Sequence, residues 1–234
     1  MACSHASPDS LSDSLVRAFA AAAIPPARWG KERLARLEEA EREFYLSILV
    51  SFATGSAPSV EALCDKANEL DLAVEATLAK LAREDLVHHD PTTGAIVVAY
   101  PFSGRPTPHR VRLGPETEVH AMCAIDALGI PFMLETAAEI VSLDPVTGDE
   151  VWVRVDPGDG SWWDPKEAAV VAGGRARDGH AAEACCAFVN FCASSESAER
   201  YLGAHPDIQG VVISVPEAIE AGRIVFGELL EAGR

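Results

Sequence analysis

Residues 120–133 read HAMCAIDALGIPFM, one thiol and one carboxyl set three residues apart in an otherwise apolar run. Residues three apart are neighbours on the surface of a helix. A helix from Glu116 to Leu128, stopped by Gly129 and Pro131, would therefore bring Cys123 and Asp126 onto one face and into one pocket.

About sixty residues downstream the chain carries a cysteine doublet in ACCAFVNFCAS. The run from Ala184 to Cys192 reads as a strand, in which side chains alternate between faces. Cys185 would point with Ala187 and Val189, and Cys186 with Phe188, Asn190 and Cys192. Only one of the pair could then share a pocket with Cys123. Two thiolates without histidine make a soft, low-coordinate site suited to Hg(II) or Cu(I) rather than to Mg or Ca. The nearby carboxyl adds a proton donor and acceptor, which a storage site would not need.

Composition removes other classes. Among 234 residues, 19 Lys and Arg face 36 Asp and Glu, a net charge of −17. That balance repels phosphate backbones and anionic lipid, so neither nucleic acid nor a membrane is an expected partner. The start MACSHASPDS has no basic n-region, and Ala18–Ile24 falls far short of a bilayer span of roughly 20 residues, so a soluble, cytoplasmic protein is expected. Its cysteines should then be reduced thiols. There is no CxxC, no HxxxH and no glycine-rich phosphate loop, which leaves no support for a four-ligand zinc site or a nucleotide site. No resident cofactor is expected.

The organisation is expected to be α+β. Residues 1–30 read as a tail and lead-in helix, 31–100 as a winged-helix-like region and 101–234 as an α+β catalytic domain built on an antiparallel sheet. Leu34, Leu37, Ala40, Phe44 and Ile48 mark a first helix over Lys31–Phe52. Ser59 caps a second through Ala67, and Asp71 a third over residues 72–85. Leu86–His89 and Ala95–Tyr100 flank the turn at Asp90–Gly94 as a hairpin. The third helix has only Lys80 and Arg83 as cations against Asp71, Glu75, Glu84 and Asp85, a poor DNA-reading face. Beyond the Pro-rich joint at 101–110, strands are expected at Val111–Leu113, Ala138–Leu143, Val151–Val155, Ala168–Ala172 and Val211–Val215, with helices over Ser195–Leu202 and Glu217–Glu231. Trp162 and Trp163 read as core plugs in a loop, His88 and His89 as strand-end surface residues, and His180 as a loop residue. Cys64 and Cys192 read as structural thiols and Cys3 as a tail thiol.

The run VHAMCAIDALGIPFM, the later doublet in ACCAFVNFCAS and the following VVISVPEAI together resemble the organomercurial lyase (alkylmercury lyase) family. The resemblance extends from about Ser59 onward and implies protonolysis of a carbon–mercury bond, giving a hydrocarbon and Hg(II). It implies that Cys123 captures the organomercurial, that Cys185 supplies the second sulfur with Cys186 as a spare ligand, and that Asp126 moves a thiol proton to the departing carbon. It further implies low-molecular-weight thiols for turnover and a mercuric reductase as acceptor of Hg(II). A thiol-based metal sensor or chaperone using the same sulfurs is the competing reading, and a family member acting on another substrate is a third.

Overall fold

The computed structural model describes residues 15–16, 33–175 and 180–230. The expected tail and lead-in helix, apart from residues 15 and 16, and Cys3 lie outside them. The helical region comprises α1 (Glu39–Ala53), α2 (Val60–Glu69) and α3 (Val74–Arg83). Phe44, Tyr45, Ile48, Leu49 and Phe52 recur at helical spacing and make one buried stripe on α1. The Tyr45 hydroxyl donates to the Tyr100 carbonyl at 2.9 Å, and the Phe52 ring stacks on Phe102 with centroids 5.8 Å apart. Ser59 caps α2 as expected, accepting from the Ala62 amide. Asp71 instead adopts a positive φ of 55° before α3, whose N-cap is Ala73.

The hairpin expected after these helices is present as β1 (Val87–His89) and β2 (Ile96–Ala99). It does not stand apart. β2 pairs with β3 (Phe102–Ser103), and one antiparallel sheet continues through β5 (Glu118–Ala121), β4 (Arg110–Arg112), β6 (Ala138–Leu143), β7 (Glu150–Asp156) and β8 (Gly160–Asp164). The sheet therefore crosses the boundary expected near residue 100. A second antiparallel sheet places β9 (Ala169–Gly174) between β10 (Asn190–Cys192) and β11 (Gln209–Ser214). All six residues of β9 are buried.

The central helix is shorter at its start and longer at its end than expected. Glu118–Ala121 is strand β5, exposing Glu118 and burying Val119 and Ala121, the period-two pattern of a half-buried strand. Helix α4 runs over Ala124–Met133, through both Gly129 and Pro131. Proline inside a helix costs about 3 kcal/mol, but every α4 residue except Phe132 is buried, and that packing outweighs the lost bond. The chain continues into α5 (Ala181–Ala184), a single 3-10 turn at Cys186–Phe188, α6 (Ser195–Ala204) and α7 (Val215–Phe226). The expected strand over Ala184–Cys192 is thus confined to its last three residues. Trp162 and Trp163 are on strand β8, and Trp162 is 49% exposed rather than a core plug.

Helix α4 packs on α7 through glycine. A Cβ on Gly222 would meet the backbone of Gly129 at 2.8 Å and of Leu128 at 2.9 Å, and a Cβ on Gly129 would meet Phe226 at 2.3 Å. Backbone cannot rotate away as a side chain can, so Gly222→Ala should destabilise the fold by about 1–3 kcal/mol. Gly203, exposed on α6 with nothing near its virtual Cβ, provides the control: Gly203→Ala should be neutral or stabilising by up to about 1 kcal/mol. Thermal or urea unfolding of the two variants checks this.

Candidate active site

The first turn of α4 holds the site. Cys123 is its N-cap, in extended backbone, and its sulfur accepts the Asp126 amide at 3.4 Å. The spacing seen in the sequence therefore works through capping: the thiol sits at the helix N-terminus and the carboxyl in its first turn. The Ala124 amide donates to the Val189 carbonyl at 3.0 Å, tying the start of α4 to the segment just after the cysteine doublet.

That segment is fastened at further points. The Ala182 amide donates to the Tyr100 hydroxyl at 2.7 Å, the Ala181 amide to Asp85 Oδ2 at 3.1 Å, and the Arg175 amide to the Ala184 carbonyl at 2.8 Å. The chain leaves α5 at Cys185 with φ −134° and ψ −46° and enters the 3-10 turn. Strand alternation consequently does not apply to the doublet. Both thiols are buried and both line the same cleft. Cys186 contributes its sulfur to a compact group with the Cys123 sulfur and an Asp126 oxygen, all within 4.8 Å of one another. The Cys185 thiol donates to the Ala181 carbonyl at 3.3 Å.

The cleft, about 360 Å³ of non-atom space counted with its open mouth, is walled by Tyr100, Ile125, Val225 and Phe226 around the thiols and the carboxyl. Tyr100 and the α7 wall carried no signal in the sequence, because they reach the site only through long-range packing. Cys64, outside the cleft, is half-buried on α2, and Cys192 is buried in β10.

Burial governs the protonation of the site. It pushes Asp126 up to about 7, against the opposing effect of hydrogen bonds from Cys123 and Cys186. Oδ2 of Asp126 is buried without a hydrogen-bond partner among the described residues, which favours a carboxyl that keeps a proton. Cys123 is pushed up to about 12, first by burial and also by the Asp126 charge. Cys186 is raised by its contacts with Cys123 and Cys185 and by burial. The resting arrangement is two thiols beside a carboxyl that titrates near neutrality. Thiolates must form before a soft metal binds, so this group is arranged to release protons on binding and to hold one of them.

The alkylmercury lyase family model matches residues 102–227, a span that includes Cys123, Asp126, Cys185 and Cys186. The chain belongs to the alkylmercury lyase family. It is 30% identical over 137 residues to the alkylmercury lyase of Staphylococcus epidermidis, a match covering 58% of this chain and 62% of that one. It is 31% identical over 120 residues to that of Bacillus cereus, covering 51% and 54%. The chain thus matches between half and two thirds of the length of these curated relatives. In fold it is similar to the crystal structure of the mercury-bound form of MerB2, with a TM-score of 0.71 at 22% identity over 87% of this chain and 98% of the other. No helix among the described residues of this family member is long and apolar enough to cross a membrane.

A raised carboxyl makes stability depend on pH in a definite direction. The folded pKa of about 7 lies above the ordinary 3.8, so the folded chain holds a proton that the unfolded chain has released. Its contribution is fully present below pH 4 and is lost as pH rises towards 7. Asp126→Asn cannot ionise and should escape that loss, gaining on the order of 4 kcal/mol over wild type between pH 4 and pH 7.5. Urea unfolding of both proteins across this range checks the slope.

Proposed function

We propose that the protein cleaves the carbon–mercury bond of organomercurials by protonolysis, with Cys123 and Cys186 as the sulfur ligands and Asp126 as the proton relay. The observation that carries this reading is the shared burial of two thiols and one carboxyl in a single apolar cleft. Family membership supports the same chemistry.

In this reaction an organomercurial arrives as a thiol adduct. Cys123 takes over the mercury, and the incoming thiol leaves with the Cys123 proton. The Cys186 thiol then gives its proton to the ionised Asp126 and binds mercury as the second sulfur. Two sulfur donors raise the electron density on carbon. Asp126, now a carboxylic acid, transfers its proton to that carbon, the carbon–mercury bond breaks and the hydrocarbon leaves. Hg(II) stays on the two sulfurs until external thiols displace it and return the protons. A pKa near 7 suits both halves of this relay, since the carboxyl must accept and donate at similar pH.

Cys186 is assigned the second sulfur because it stands in the donor group with Cys123 and Asp126, whereas Cys185 donates to a backbone carbonyl. Cys185 lines the same cleft and would be the first acceptor of Hg(II) on its way out. Low-molecular-weight thiols and a mercuric reductase would be the natural acceptors after it. The acidic charge and the ion pairs that occupy Lys80 and Arg36 disfavour a nucleic-acid partner.

Headspace gas chromatography of the protein with phenylmercury and excess thiol tests the assignment. Wild type should release benzene. Cys123→Ser, Asp126→Asn and Cys186→Ser should each lower the rate by roughly 100-fold or more, while Cys185→Ser should retain the larger part of it. Mercury held tightly through Cys123 without any benzene from wild type would overturn the lyase reading in favour of a soft-metal binding protein. A collapse in Cys185→Ser with Cys186→Ser active would overturn the ligand assignment alone.

A further inference from the structure

A second group of metal-ligating side chains lies outside the thiol cleft. Asp85 follows α3 with a positive φ of 54°, which turns its carboxylate towards β1. His88 Nε2 lies 2.7 Å from Asp85 Oδ1, and His180 Nδ1 lies 3.1 Å from the same oxygen. The two imidazoles meet edge to face with centroids 4.3 Å apart. All three donor atoms lie within 4.8 Å of one another. Two of the residues come from the helical region and its hairpin. The third begins the segment that carries the cysteine doublet.

We propose that Asp85, His88 and His180 form a second cation site, for a borderline divalent ion of the zinc class, which fastens the thiol-bearing segment to the helical region. Two imidazoles and a carboxylate oxygen are a donor set for such ions rather than for mercury. Donors about 2.0–2.1 Å from a tetrahedral zinc lie roughly 3.3 Å apart, so the 2.7 Å and 3.1 Å separations from Asp85 Oδ1 would widen by about 0.6 and about 0.2 Å. The outer groups are already in position. Oδ2 of Asp85 is held by the Arg33 guanidinium at 2.8 Å and by the Ala181 amide at 3.1 Å, leaving Oδ1 to the imidazoles. Arg33 also donates to the Asp85 carbonyl. Its charge opposes the ion and restricts the carboxylate to one ligating oxygen. The His180 side chain is 54% exposed, which gives an ion a path in and leaves a coordination position to water.

The site does not depend on the lyase reading, and its test does not read activity. Wild type, His180→Ala and His180→Gln are dialysed against zinc chloride and their metal content measured; Gln keeps a donor for Asp85 but not the imidazole ligand. Zinc held on the cysteines would be common to all three proteins. Wild type should retain about one equivalent more than either variant. In a parallel cobalt(II) titration, the histidine-dependent equivalent should show d–d absorption without added thiolate charge transfer. Equal zinc in the three proteins would overturn the proposal, as would a histidine-dependent difference that carries the thiolate band.

Discussion

Helix α4 is buried on nearly every side, and that burial sets the character of the site. A helix so enclosed has no face on which to solvate a charge, and Asp126 is its one ionisable residue. Burial leaves the carboxyl little contact with water, and the cost of desolvating its charge pushes its pKa up to about 7. The same enclosure excludes solvent from Cys123. The close approach of Gly129 and Gly222 keeps α7 against α4 and brings Val225 and Phe226 to the wall of the cleft.

The second constraint acts on the doublet. A thiol on a separate segment can meet Cys123 only if that segment is held firmly, and α5 with its 3-10 turn is too short to hold itself. Its Ala181 and Ala182 amides donate to Asp85 and to the Tyr100 hydroxyl, and the Val189 carbonyl just after it accepts from the Ala124 amide of α4. The helical region thereby has a physical role: it supplies Asp85 and its partners as a mooring for one side of the thiol cleft.

Much of this was legible in the sequence, because the informative signals were local. Phe44 and Ile48 of the α1 stripe and the strands around 138–155 follow from side-chain patterning, and the start of α2 from its capping Ser59, whereas Leu34 and Leu37, read into the same first helix, precede it. Cys123 and Asp126 share a site because three-residue spacing operates at an N-cap as it does within a helix. What was not legible depended on tertiary context. Glu118–Ala121 is too short for its alternation to stand out beside a strong helix signal, and Pro131 ends a helix only where packing does not override it. The doublet read as strand because ACCAFV is rich in apolar residues, whereas its turn is imposed by hydrogen bonds to residues some 60 to 100 positions away. The choice between Cys185 and Cys186 rests on that turn.

The proton relay requires that Asp126 titrate near neutral pH in the buried cleft, about three pH units above an ordinary carboxyl. Infrared difference spectra of wild type minus Asp126→Asn, recorded across a pH titration, report the carbonyl stretch of a protonated buried carboxyl directly. A band that persists at pH 6 and disappears with a midpoint near 7 is expected. A carboxylate already ionised at pH 5, with a midpoint near 4, would contradict it.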